Sequence, residues 1–151
     1  MSVSMTDEQF MLEALVQAQR ARSRGEVPVG AIVVVEGRII ARGENKSVAN
    51  NDPTAHAEII ALRKAAGKRG NYRLAECDLF VTLEPCAMCL GAVIQARIKR
   101  LIYGAADPKA GAVRSIMKFP FDKVNHRPDI VSGILAEECG RILRGFFEEK
   151  R

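Results

Sequence analysis

The sequence predicts an α/β fold, a three-layer α/β/α sandwich around a central mixed, mostly five-stranded sheet. Three observations lead there. Residues 31–35 are continuously apolar and mostly β-branched, the pattern of a buried strand, and Glu36-Gly37 turns the chain back into residues 38–42 as a hairpin. Beyond the hairpin, helix-like and strand-like stretches alternate, as they do where helices cover both faces of a sheet. The chain also opens and closes with apolar residues at helical spacing.

The first helix is expected over residues 6–24. Thr6 and Gln9 form a capping box ahead of the series Met11, Ala14, Leu15 and Ala18, and Gly25 ends it. After the hairpin, residues 43–51 are polar and read as loop. A second helix is expected to open at Asp52-Pro53, capped by Asp52 or Thr54, to bury Ile59, Leu62 and Ala66, and to stop at Gly67. Residues 78–83 read as a strand, Pro85 to about Ala96 as a third helix, and residues 100–103 as a further strand. Residues 105–127 are long and irregular, which in a domain of this size points to a functional or partly helical segment. A short strand near residues 129–131 and a last helix carrying Ile134, Leu135, Cys139, Ile142, Leu143, Phe146 and Phe147 complete the chain.

Length and composition narrow the function classes. A chain of 151 residues suits one domain over residues 1–151. With 48% hydrophobic and 27% charged residues it is an ordinary globular composition, neither disordered nor membrane-like. No apolar run approaches membrane-spanning length, and residues 1–6 have neither the basic nor the apolar region of a signal peptide, so a cytoplasmic location is expected. The net charge of +5 permits a polyanionic partner without requiring one. Four cysteines in such a chain point away from disulfides and toward metal or redox chemistry for the Cys-x-x-Cys pair.

Two short stretches carry the chemistry: Asp52-Pro53-Thr54-Ala55-His56-Ala57-Glu58 and Thr82-Leu83-Glu84-Pro85-Cys86-Ala87-Met88-Cys89. Cys86-x-x-Cys89 alone is compatible with two buried thiols or a redox pair. Joined to a His-x-Glu near a helix start it reads as a zinc site. Cys77, Cys139 and His126 are not paired at ligand spacing, so His56, Cys86 and Cys89 are the expected ligands and a fourth position stays open, the mark of a catalytic site. Two thiolates cancel the charge of the ion, so water at such a site needs a base, and Glu58 is the candidate. His56 and Glu58 could not face one point from a helix interior; both are expected in the first turn, where side chains lean toward the N-terminus.

His-x-Glu followed by Pro-Cys-x-x-Cys resembles the signature of the cytidine and nucleoside deaminase superfamily. Further segments resemble the bacterial tRNA-specific adenosine deaminases: Gly25-Glu26-Val27-Pro28-Val29-Gly30-Ala31, Pro53-Thr54-Ala55-His56-Ala57-Glu58, Asn71-Tyr72-Arg73-Leu74, Ala96-Arg97-Ile98, Tyr103-Gly104-Ala105, Asn125-His126-Arg127 and Phe146-Phe147. The resemblance implies a single deaminase domain, one Zn2+ per subunit on His56, Cys86 and Cys89, and Glu58 as proton carrier. It implies hydrolytic conversion of adenosine to inosine at the wobble position of a tRNA anticodon stem-loop by a homodimer. It matches Asn45 to a base-holding asparagine, Asp107 and Asn125 to positions near RNA, and Phe147 to a residue packing on a flipped nucleotide. Read without it, these four are a turn residue, a turn aspartate, a loop cap and a core aromatic. The end of the chain departs from the family: Glu148-Glu149 precede Lys150-Arg151, where relatives carry basic residues after the Phe-Phe pair.

Overall fold

The computed structural model describes residues 4–150; residues 1–3 and 151 lie outside the described residues, and with them part of the 1–6 segment and the last residue of the tail. The elements run α1 (Asp7–Ser23), β1 (Gly30–Val35), β2 (Arg38–Glu44), α2 (Ala57–Arg69), β3 (Asp78–Leu83), α3 (Ala87–Gln95), β4 (Arg100–Ala105), one turn of 3-10 helix (Phe121–Lys123), β5 (Asp129–Ser132) and α4 (Ala136–Glu149). The sheet order is β2-β1-β3-β4-β5. β1 is antiparallel to both β2 and β3, whereas β3, β4 and β5 are parallel. The expected three-layer sandwich with a mixed five-stranded sheet is therefore the observed architecture.

Two cores flank the sheet, because successive strand residues point to opposite faces. Along β4, Leu101 and Tyr103 join one core with Ala61 and Leu62 of α2 and Val93 of α3, and Ile102 joins the other with Phe10 and Met11 of α1 and Cys139 and Ile142 of α4. The α1 capping box forms as expected, with Gln9 N donating to Thr6 Oγ1 and Thr6 N to Gln9 Oε1. Arg100 then fastens the start of α1 to the sheet, donating to Asp7 on one side and Asp78 on the other.

The structure corrects four boundaries. β2 continues to Glu44, two residues past the expected strand end. α2 does not open at Asp52-Pro53: Asp52 Oδ1 accepts from both the backbone N–H and the hydroxyl of Thr54, and this local turn competes with helix until His56 becomes the N-cap. Gly67 does not stop α2 either; the helix runs two residues further and ends where Gly70 adopts the left-handed conformation (φ 66°) that glycine tolerates. Likewise Cys86, rather than Pro85, stands at the head of α3.

Candidate active site

The site lies where β2, β3 and β4 end and α2 and α3 begin. Outside the carboxyl ends of parallel strands is where open α/β sheets form crevices. His56 is the N-cap of α2 and Cys86 the N-cap of α3, both with extended backbone (φ −76°, ψ 153° and φ −75°, ψ 175°), and neither side chain makes a cap hydrogen bond. Cys89 follows three residues later in the first turn of α3 and is fully buried. The two helix starts converge, so that Cys86 Sγ and Cys89 Sγ lie 3.6 Å and 3.5 Å from His56 Nδ1.

These three ligand atoms all fall within 4.8 Å of one another. A tetrahedral zinc with bonds of roughly 2.3 Å to sulfur and 2.0 Å to nitrogen would set its nitrogen–sulfur edges at about 3.5 Å. The observed spacings match, so the residues present fit a metal of that kind. Among the described residues no other group of histidine, cysteine and carboxylate ligands gathers in this way.

Glu58 sits in the first turn of α2 and is buried. The difficulty of facing His56 and Glu58 to one point disappears because His56 stands at the N-cap, just outside the helix, rather than within its first turn. Burial pushes the Glu58 carboxyl up to about 7, with the negative charge on Cys86 adding to the effect. The bond from the Cys89 thiol, together with His56, brings Cys86 down to about 4. Bonding to Cys86, and then burial, raises Cys89. His56 is raised first by its bond to Cys86, against the opposing effect of its own burial. Without metal the site therefore holds one thiolate and one thiol, beside a carboxyl that keeps its proton into the neutral range.

Asn45 follows β2 and takes over the capping of α2: its Oδ1 accepts from Ala57 N at 2.8 Å. That bond fixes the amide orientation and leaves the amino end as the donor available to the pocket that Asn45 lines. The polar segment after Asn45 is held by Glu26, a buried carboxylate that accepts from Val48 N and Ala49 N.

A cavity of about 220 Å³ opens over the ligands, lined by Asn45, His56, Glu58, Glu84, Cys86 and Asp107 among others. It shares Val27, Leu83 and Asp107 with a larger cavity of about 590 Å³ walled by Lys109, Leu143, Arg144 and Phe147. The structure thus brings six of the eight expected site residues to these two cavities, with Cys89 fully buried behind His56 and Cys86. Asp107 lines both, and its side chain also caps a turn, accepting from Lys109 N and Ala110 N. Phe147 is half exposed, packs edge-on against Phe146 at 5.4 Å and belongs only to the larger cavity. Asn125 lines neither: it accepts from Arg97 at 3.0 Å, and next to it His126 Nε2 bonds the Ile98 carbonyl at 2.7 Å, so this loop is tied to the turn between α3 and β4.

Two carboxylates were not singled out from the sequence. Glu26 and Glu84 are 3% and 2% exposed. Each is recognisable only from the backbone N–H groups it gathers, which are distant in sequence. A glutamate at the end of an apolar strand, as Glu84 is, gives only a faint signal of this.

The profile of the MafB19-like deaminase family matches residues 5–151. The tRNA-specific adenosine deaminase of Haemophilus influenzae is 52% identical over 147 residues, 96% of this chain and 85% of the relative. That of Bacillus subtilis is 43% identical, with 96% of this chain and 91% of the relative covered. A solved structure from work on A-to-I editing by tRNA:A34 deaminases at the wobble position of transfer RNA superimposes with a TM-score of 0.85 at 51% identity, over 89% of this chain and 98% of that one. The guanine deaminase of Bacillus subtilis is more distant, with a TM-score of 0.65 at 36% identity, over 76% of this chain and 84% of that one. The chain belongs to the deaminase family that includes the bacterial tRNA-specific adenosine deaminases.

Proposed function

We propose that this chain is a zinc-dependent hydrolase that converts adenosine to inosine at the wobble position of a tRNA anticodon. One observation carries the reading: His56, Cys86 and Cys89 gather as one ligand group, and Glu58 shares a pocket with His56 and Cys86, in a chain 52% identical to a tRNA-specific adenosine deaminase. His56 Nδ1 and the two sulfurs would hold one zinc ion per subunit. When bound, the ion supplies a Lewis acid that makes water nucleophilic near neutral pH.

The remaining chemistry belongs to the chain. Hydrolysis adds water at C6 of adenine and releases the exocyclic amine as ammonia. Glu58 takes a proton from the attacking water and places it on the adjacent ring nitrogen, then takes the remaining proton from the new C6 hydroxyl and delivers it to the amine, which leaves as ammonia as the C6 carbonyl forms. Its burial keeps bulk water from competing for that proton. Asn45, fixed by its bond to Ala57, donates its amino group to the base. The base must leave its stack to enter a pocket this small, which costs least in a single-stranded loop such as an anticodon. The larger cavity, with Phe147 and Leu143 as apolar surface and Lys109 and Arg144 as cations, suits the adjoining nucleotide and its phosphate. Asp107, between the two cavities, lies along the RNA path. The protein acts as a cytoplasmic homodimer in this reading, with Asn125 contributing to the RNA surface beyond the pocket. No helix among the described residues is long and apolar enough to cross a membrane.

A small-molecule deaminase of the same superfamily is the competing reading, favoured only by the likeness to guanine deaminase. Measuring ammonia release from an anticodon stem-loop, free guanine and free cytosine separates the two. Release from the stem-loop is expected. Release from a free base alone would overturn the proposal.

A further inference from the structure

One buried carboxylate at the site takes no part in these steps. Glu84 lies two residues before Cys86, and its backbone N–H donates to Ala105 O at 2.8 Å, which ties the ends of β3 and β4 together. Its side chain is turned into the loop after β4. Oε1 accepts from Asp107 N at 3.1 Å, and Oε2 from Val113 N, Arg114 N and Ser115 N at 3.0, 2.8 and 3.2 Å. The Ser115 hydroxyl donates to Oε1 as well. The next carbonyl along the chain, that of Pro85, accepts from Ala112 N at 2.9 Å.

The loop is shaped around this carboxylate. At Gly111 a Cβ would stand 2.4 Å from Glu84 Cδ and 2.5 Å from Oε1, so only glycine lets the backbone close over it. A single anion thus collects four backbone donors and a hydroxyl from a segment with almost no regular structure of its own. Such bonds to a charged acceptor are individually strong, and leaving the donors unsatisfied in a buried place is costly. The segment so held contributes Asp107 and Ala110 to the metal pocket, and Ala106, Pro108 and Lys109 to the larger cavity.

We propose that Glu84 is the positioning residue of the substrate-facing wall: it fixes residues 107–115 against the strand end that leads to Cys86, and so sets the distance between that wall and the metal ligands. It acts through the loop. The inference rests on the deaminase reading for its kinetic test and on geometry alone for its structural one.

Two variants grade the effect. In Glu84→Gln the new amino group can face Ser115, whose hydroxyl can turn to accept, so the opposing N–H of Asp107 alone loses its partner. In Glu84→Ala all five donors are released. With zinc-loaded protein and the anticodon stem-loop, KM is expected to rise about tenfold in Glu84→Gln, the size of one lost charge-assisted bond, and further in Glu84→Ala, with kcat reduced less and zinc content unchanged. Hydrogen exchange should show the amide of Asp107 losing protection in Glu84→Gln, and those of Val113, Arg114 and Ser115 losing it as well in Glu84→Ala, while those of β1 and β3 keep it. If Glu84→Ala does not fold, the Gln variant alone decides. An unchanged KM with only a smaller active fraction, loss of zinc in step with activity, or unaltered exchange in the loop would overturn the proposal. If the wild type fails to deaminate the stem-loop, the function reading fails, and the exchange result still judges the role of Glu84.

Discussion

His56 Nδ1 and Cys86 Sγ stand 3.6 Å apart because each residue occupies the same station on its own helix, the N-cap. An N-cap side chain ordinarily accepts a hydrogen bond from its own first turn. Here neither makes such a cap bond, and at α2 Asn45, from the loop after β2, supplies the acceptor. Both ligand side chains are thereby left for a metal. The free N–H groups of two helix starts also favour the negative charge that thiolates bring.

Metal content follows from this arrangement. His56→Ala and Cys86→Ser are each expected to lose zinc and activity, whereas Cys77→Ser keeps both, since Cys77 is buried away from the site. Zinc measured by atomic spectroscopy on purified variants checks this. Full zinc in Cys86→Ser would contradict the ligand assignment. Because Cys89 holds its proton in the metal-free site, loading should release protons, and affinity should rise with pH.

Glu58 separates metal binding from chemistry. Glu58→Gln should retain zinc and lose about 10² to 10⁴ in kcat, the usual span for a general acid–base group. It should also stabilise the metal-free protein. Burial raises the folded-state value of Glu58 to about 7, above an unfolded value of 4.5, so the folded state holds a proton that the unfolded chain has given up. The cost to folding begins as pH rises past the unfolded value and is complete above the folded one. In chelator, Glu58→Gln should therefore unfold at higher denaturant than wild type at pH 8, and the two should converge near pH 4. Equal midpoints at pH 8 would refute the burial argument.

Asn45 combines two roles that different substitutions divide. Asn45→Ala removes the acceptor for Ala57 N and should cost about 1 kcal/mol of stability, the usual value of an N-cap. Asn45→Asp keeps the acceptor at the positive end of α2 but removes the amide donor. It should keep the melting temperature while kcat/KM falls about tenfold or more, as expected for a lost hydrogen bond to substrate. An Asp variant as active as wild type would remove Asn45 from base recognition.

The sequence exposes the parts of the fold whose causes are local. The 31–35 run, the Thr6–Gln9 box and the apolar face of α4 each state their own structure. The group that could hold a metal is equally legible, because His-x-Glu and Cys-x-x-Cys each lie within a few residues. What stayed hidden depends on distant partners. The start of α2 is delayed by the Asp52–Thr54 turn and capped by Asn45 from across the loop. The 105–127 segment has no periodicity to read, since its order is set by the Glu84 carboxylate and by the Phe119–Phe121 pair against the core. Asn125 carries a motif, yet its contact is with Arg97, which adopts a left-handed backbone (φ 61°) at the turn after α3.

RNA affinity should depend steeply on salt. The net charge is +5, and Arg144 and Lys109 border the larger cavity. Each phosphate neutralised releases counterions, so the slope of log affinity against log salt counts the contacts, at about 0.7 per contact on a single strand. Arg144→Ala should lower that slope by roughly one contact. An affinity independent of salt would exclude an electrostatic RNA surface.

Deamination of one anticodon adenosine is the reaction proposed for this pocket. The most direct measurement is mass analysis of a stem-loop carrying adenosine at the wobble position and at one other loop position, after incubation with zinc-loaded protein. The account predicts replacement of a single amino group by oxygen, mapped by nuclease digestion to the wobble nucleotide, and none with Glu58→Gln. An unmodified stem-loop, or modification that persists in Glu58→Gln, would contradict it.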